Sequence, residues 1–77
     1  MVKIYNIDIE DNGAGFLVVI NKRSENRLVI SCERTLLAAW EKIVWLYEIE
    51  SQEFTVGRRN IPVKEWIEMM KKLDYID

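Results

Sequence analysis

The apolar residues of this chain change their period once, between Ser31 and Thr35. Before that point they alternate or run together over short stretches; after it they recur every three or four positions, so strands must come first and a helix second. In Tyr5-Asn6-Ile7-Asp8-Ile9 the apolar side chains share one parity and the polar ones the other, which predicts a half-buried strand over residues 3–9. Asp11-Asn12-Gly13 follows, and Asn-Gly predicts a tight type I′ turn because both residues tolerate positive φ. Phe16-Leu17-Val18-Val19-Ile20 has no polar interruption, which suits a strand covered on both faces or the middle strand of a small sheet, and predicts the central strand. The polar stretch 21–26 predicts a second turn, and Arg27–Cys32, rich in β-branched residues, a third strand. Short connections make consecutive strands antiparallel neighbours, so residues 3–32 read as a three-stranded meander.

From Thr35 to Tyr47 the helical period places Leu36, Leu37, Trp40, Ile43, Val44 and Tyr47 within an arc of about 120°, the side expected to face the sheet. Ser31 and Thr35 both qualify as its N-cap. Glu53–Val56 is long enough for a short fourth strand but carries no pattern that separates strand from extended loop. Gly57-Arg58-Arg59-Asn60 breaks the chain, and Pro62 suits the first turn of a second helix running to Leu73, with Val63, Trp66, Ile67, Met70 and Leu73 on one face. The expected fold class is α+β: a three-stranded antiparallel sheet, one helix packed on it, a short fourth strand and a C-terminal amphipathic helix, with residues 1–77 as one domain.

Several kinds of chemistry are excluded by residue type. The chain has no His, which removes His-based acid/base catalysis, His-activated nucleophiles and His-containing zinc sites. Cys32 is the only cysteine, so it closes no disulfide within the chain, and its activation would depend on Arg34 or a helix N-terminus. Its plainer role is that of a small buried apolar residue at a strand end. The carboxylates Asp8, Glu10 and Asp11, and Glu48, Glu50 and Glu53, match no calcium loop and read as a solvated turn and helix end. Gly13-Ala14-Gly15 joins two strands and opens no helix, unlike a dinucleotide fingerprint. No enzyme activity, cofactor or metal is expected. With no apolar run of about 18 residues, no signal-peptide layout at Met1-Val2-Lys3-Ile4 and a free thiol, a cytoplasmic protein without membrane contact is expected.

Two surfaces stand out. Trp45 lies about 140° around the first helix from Trp40, away from the sheet-facing arc. It is either an interface residue or covered by the second helix, and Leu46, Met69, Tyr75 and Ile76 add apolar surface that a core of this size does not absorb. Trp45, Leu46, Met69 and Tyr75 are therefore the candidate partner-binding residues. The second surface is basic: Lys22, Arg23 and Arg27 in one loop, Arg58 and Arg59 in another, the latter before a helix whose free N–H groups favour an anion. Solvated loops are the plain alternative. A net charge of −2, from 11 basic and 13 acidic residues, decides nothing between the two.

The order of three strands and a helix, with Ile4-Tyr5-Asn6-Ile7-Asp8-Ile9-Glu10-Asp11 leading through Gly15-Phe16-Leu17-Val18-Val19 to Leu37-Ala38-Ala39-Trp40, loosely resembles HicB-type antitoxins over residues 3–48. Residues 21–26 stand where those proteins carry a Pro- and Gly-containing segment. The same order resembles the sheet-reading DNA-binding domains of some integrases and plant transcription factors, without their basic and aromatic strand residues. A shared order of elements carries fold and not function. The function expected from the residues is a non-enzymatic protein-binding module, a small inhibitor, adaptor or regulator of a bacterium, phage or other mobile element, binding another protein or a second copy as a homodimer. The alternative is a nucleic-acid-binding module acting through residues 22–27 and 58–59.

Overall fold

Alternating and continuous apolar runs build a mixed sheet in the computed structural model, which describes residues 4–77. Lys3, expected to open the first strand, lies outside the described residues. The strands are β1 (Tyr5–Asp11), β2 (Phe16–Ile20), β3 (Leu28–Glu33), β4 (Phe54–Val56) and β5 (Ile61–Pro62). Helix α1 (Leu36–Glu48) lies between β3 and β4, and α2 (Val63–Lys72) follows β5. The sheet order is β3-β2-β1-β4-β5. The expected meander is present as β1, β2 and β3, paired antiparallel. It is only part of the sheet, because α1 returns the chain to the far side of β1, where β4 pairs in parallel and β5 closes the edge. The centre of the sheet is thus β1 and not β2.

The first turn also differs from expectation. Among the described residues around it only Gly13 has positive φ, 86°, so Asn12 does not form the first centre of a type I′ turn. Asn12 instead accepts hydrogen bonds through its Oδ1 from the N–H groups of Ala14 and Gly15 at 3.0 and 2.8 Å, making a longer loop. Gly15 is required by proximity: a Cβ there would lie 2.8 Å from the carbonyl oxygen of Glu33. Gly15→Ala is expected to lower stability by about 1–3 kcal/mol, since a backbone carbonyl yields poorly. Gly13→Ala meets no atom within 4 Å and should lose about 1 kcal/mol through its positive φ alone. Urea denaturation of the two variants measures the difference.

Ile7, Ile9, Phe16, Val18 and Ile20 share one face of the sheet by register, and the helices pack there. Thr35, not Ser31, caps α1, its side chain accepting from the Ala38 N–H at 3.0 Å. The side that α1 buries carries Ala39, Ile43 and Leu46. This is a rotation of about 90° from the arc expected, so Leu36 and Leu37 stand exposed while Trp40, Val44 and Tyr47 are partly buried. A helix that packs on both the sheet and a second helix has two contact directions, and a single hydrophobic arc averages them. Helix α2 buries Val63, Trp66, Ile67 and Met70. Leu73, expected on that face, is the exposed C-cap, and Pro62 ends β5 ahead of the helix. Val19, paired with Asp8 and Val29 on the opposite face, is also fully buried, while Leu17 on that face is only partly so. Cys32 is exposed, contrary to the buried role expected of it. It occupies the edge strand β3, where half its surroundings are solvent.

At the start of β1, Tyr5 stacks on Phe54 with ring centroids 5.7 Å apart and donates its hydroxyl proton to Gln52. Burial pushes the Tyr5 phenol above its ordinary pKa. The neutral phenol is the form the fold favours, so its contribution is complete below the ordinary phenol pKa and is lost as pH rises through the higher folded-state value. A melting temperature that falls above about pH 10 in the parent, and falls less in Tyr5→Phe, is the expected result.

Candidate functional site

The chain leaves α2 through a tight reversal. Asp74 takes a left-handed conformation, φ 61°, its N–H donates to the Lys71 carbonyl at 3.1 Å, and the Tyr75 N–H donates to the Met70 carbonyl at 2.9 Å. This is a Schellman cap with Asp at the position usually held by Gly. It turns residues 74–77 back across α1, where Ile76 is buried and the Tyr75 ring meets Trp40 at 5.5 Å.

Between this tail and the outer side of α1 lies a groove of about 570 Å³. One wall is Leu37, Glu41, Val44, Trp45, Glu48 and Ile49; the other is Asp74, Tyr75, Ile76 and Asp77. Trp45 is 40% exposed, so it stands on the outer side of α1 and not beneath α2. The Lys42 ammonium stands 4.1 Å from the centre of its ring. Tyr75 joins Trp45 in the groove. Leu46 does not: at 7% exposure it belongs to the core, because it falls on the buried side of α1 with Ala39 and Ile43. Met69 is exposed but outside the groove. Leu37, Val44 and Ile49 are the apolar groove residues that sequence reasoning missed; Leu37 and Val44 were placed on the sheet side, and Ile49 is the helix C-cap, beyond the periodic segment.

The two basic loops do come together. The Arg23 guanidinium donates to the Gly57 carbonyl at 3.3 Å, and Asn6 binds both segments, donating from Nδ2 to Gly57 and from its backbone N–H to Asn21 Oδ1. Yet Arg23 is held by Asp8 at 2.9 Å, and Arg27 is paired with Glu10. Among the described residues, Lys22, Arg58 and Arg59 make no side-chain hydrogen bond or ion pair. Arg58 and Arg59 are the exposed centre of a turn closed by the Asn60 N–H and Gly57 carbonyl at 3.2 Å. Ile61 and Pro62 then run extended before α2, so the loop does not fold back over the helix N-terminus, which already carries Glu65 in its first turn.

A smaller cavity of about 270 Å³ is lined by Trp40, Trp66, Phe16 and the carboxylates Asp8 and Asp11. Both carboxylates have partners, Arg23 for the first and the Gly13 N–H for the second. Among the described residues no group of three or more His, Cys, Asp or Glu is placed to hold a metal ion, and no helix is long and apolar enough to cross a membrane.

No protein-family profile matches the chain, and neither the curated proteins nor the solved structures searched yield a match.

Proposed function

We propose that this chain is a non-enzymatic protein-binding module, a small regulator, inhibitor or adaptor, that docks its partner in the groove between α1 and residues 74–77. The observation that carries this reading is the groove's lining: Leu37, Trp45, Ile49 and Tyr75 are all exposed and lie together on one side of the molecule. A small domain gains nothing in its own stability from leaving a Trp half in water, whereas Trp and Tyr in a concave site are the side chains that most often dominate binding energy.

The nucleic-acid alternative is weakened by the ion pairs of Arg23 and Arg27. Of the five basic residues in these loops, Lys22, Arg58 and Arg59 are unpaired among the described residues, and phosphate binding through those three would show a log–log salt slope of about −3. Capture from a nuclease-treated native extract separates the two. The expected result is a protein retained by the parent and by Arg58→Ala/Arg59→Ala but lost with Trp45→Ala. Retention that depends on nucleic acid and on the two arginines would replace this reading with the alternative.

A further inference from the structure

The groove is apolar at its base and acidic along both sides. Glu41 and Glu48 rise from α1, Asp74 and Asp77 stand on the tail, and the residues lining it include no Lys or Arg. Two cations touch groove residues: Lys42, which sits over the Trp45 ring, and Lys71, whose ammonium is 3.9 Å from Glu48 with both side chains about half exposed. A pair so open to solvent neutralises little. The Lys42 ammonium covers one face of the Trp45 ring and, among the described residues, leaves the four carboxylates of the groove without a close cation other than Lys71.

We propose that the groove takes a cationic amphipathic helix of another protein, its apolar side chains against Val44, Trp45 and Tyr75 and its Lys or Arg side chains against Glu41, Glu48, Asp74 and Asp77. This rests on the docking reading above and adds the chemistry of the partner. Four carboxylates beside an apolar floor favour a basic partner in encounter and disfavour an acidic one. The 13 residues of α1 make a wall about 20 Å long, along which nearly four turns of a helix can lie. A second copy fits less well. Face to face, two grooves would oppose acidic sides, and the outer side of α2 sets Glu65 and Glu68 among its lysines.

The test uses two synthetic amphipathic helices of about five turns, identical in their Leu face and carrying Lys in one and Glu in the other. Backbone amide shifts of the labelled parent protein are followed on titration. The Lys peptide is expected to move Glu41, Trp45, Glu48 and Tyr75 and to weaken with salt. It should bind about tenfold or more weakly to Glu41→Gln/Glu48→Gln/Asp74→Asn, a variant whose melting temperature stays near the parent's because these side chains are exposed and Asn tolerates the left-handed conformation at 74. If the Glu peptide occupies the groove as well as the Lys peptide, or the triple variant binds the Lys peptide undiminished, the cationic assignment is overturned while docking in the groove stands. Lys peptide shifts confined to other surfaces, groove amides that neither peptide moves, or groove amides that change on dilution as a dimer of the parent separates, likewise overturn it; the extract capture with Trp45→Ala then decides the docking reading separately.

Discussion

Ile43→Ala is expected to lower the stability of this domain by about 3–4 kcal/mol, the range for emptying a fully enclosed aliphatic site. Ile43 has no exposed surface, and it sits in the one cluster that joins Ile7 and Val18 of the sheet to Trp66, Ile67 and Met70 of α2. Helix and sheet surfaces are covered around it by both secondary-structure layers, so the cavity cannot collapse without moving α1. In a chain of 77 residues such a loss is a large part of total stability. Urea denaturation of the variant should show a midpoint far below the parent's, or no folded baseline at all. Trp40→Ala should cost less than Ile43→Ala, since Trp40 is only partly buried and shares its exposed side with Tyr75.

Trp45→Ala should do the reverse, with stability kept within about 1 kcal/mol of the parent and partner affinity lowered by roughly 2 kcal/mol, about thirtyfold. Two sides of the same helix turn, about 200° apart, therefore separate folding from binding. What Trp45 contributes to the isolated protein is contact with the Lys42 ammonium and a side of the groove, both at the surface. What it contributes to a complex is a large ring that is desolvated only when a partner arrives. Measuring the denaturation midpoint beside the affinity for the captured protein checks both halves.

The parts of this architecture that were legible in the sequence are those fixed by local pattern. Alternation at Tyr5, Ile7 and Ile9, the apolar run from Phe16, the period change after Ser31 and the amphipathic stretch after Pro62 each specify an element, and the first and last of them also its inner side. Pairing across long separations is a different matter. Nothing in Phe54-Thr55-Val56 says that it lies parallel to β1, because three residues satisfy either direction equally; the answer depends on where α1 returns the chain. The same limit explains the rotated face of α1. Leu46 seemed surplus only while the sheet was taken as the helix's sole contact, and α2 supplies the second. At the surface, Trp45 was identifiable because it opposed the main apolar arc. The tail that forms the facing wall was not, since its position follows from Asp74 adopting the cap conformation expected of Gly. The basic loops were each visible, but Asp8 and Glu10 looked solvated until the register of β1 and β2 placed them beneath Arg23 and Arg27.

Site-specific photo-cross-linking tests the docking surface most directly. A photoreactive side chain is placed at Ile49, which is 66% exposed and lines the groove, or at Arg58, at the tip of the basic turn. Each variant is irradiated in nuclease-treated native extract. A groove that docks a protein predicts one discrete adduct from position 49, abolished by adding Trp45→Ala, and none from position 58. An adduct from position 58 alone, or one at 49 that survives loss of Trp45, would contradict it.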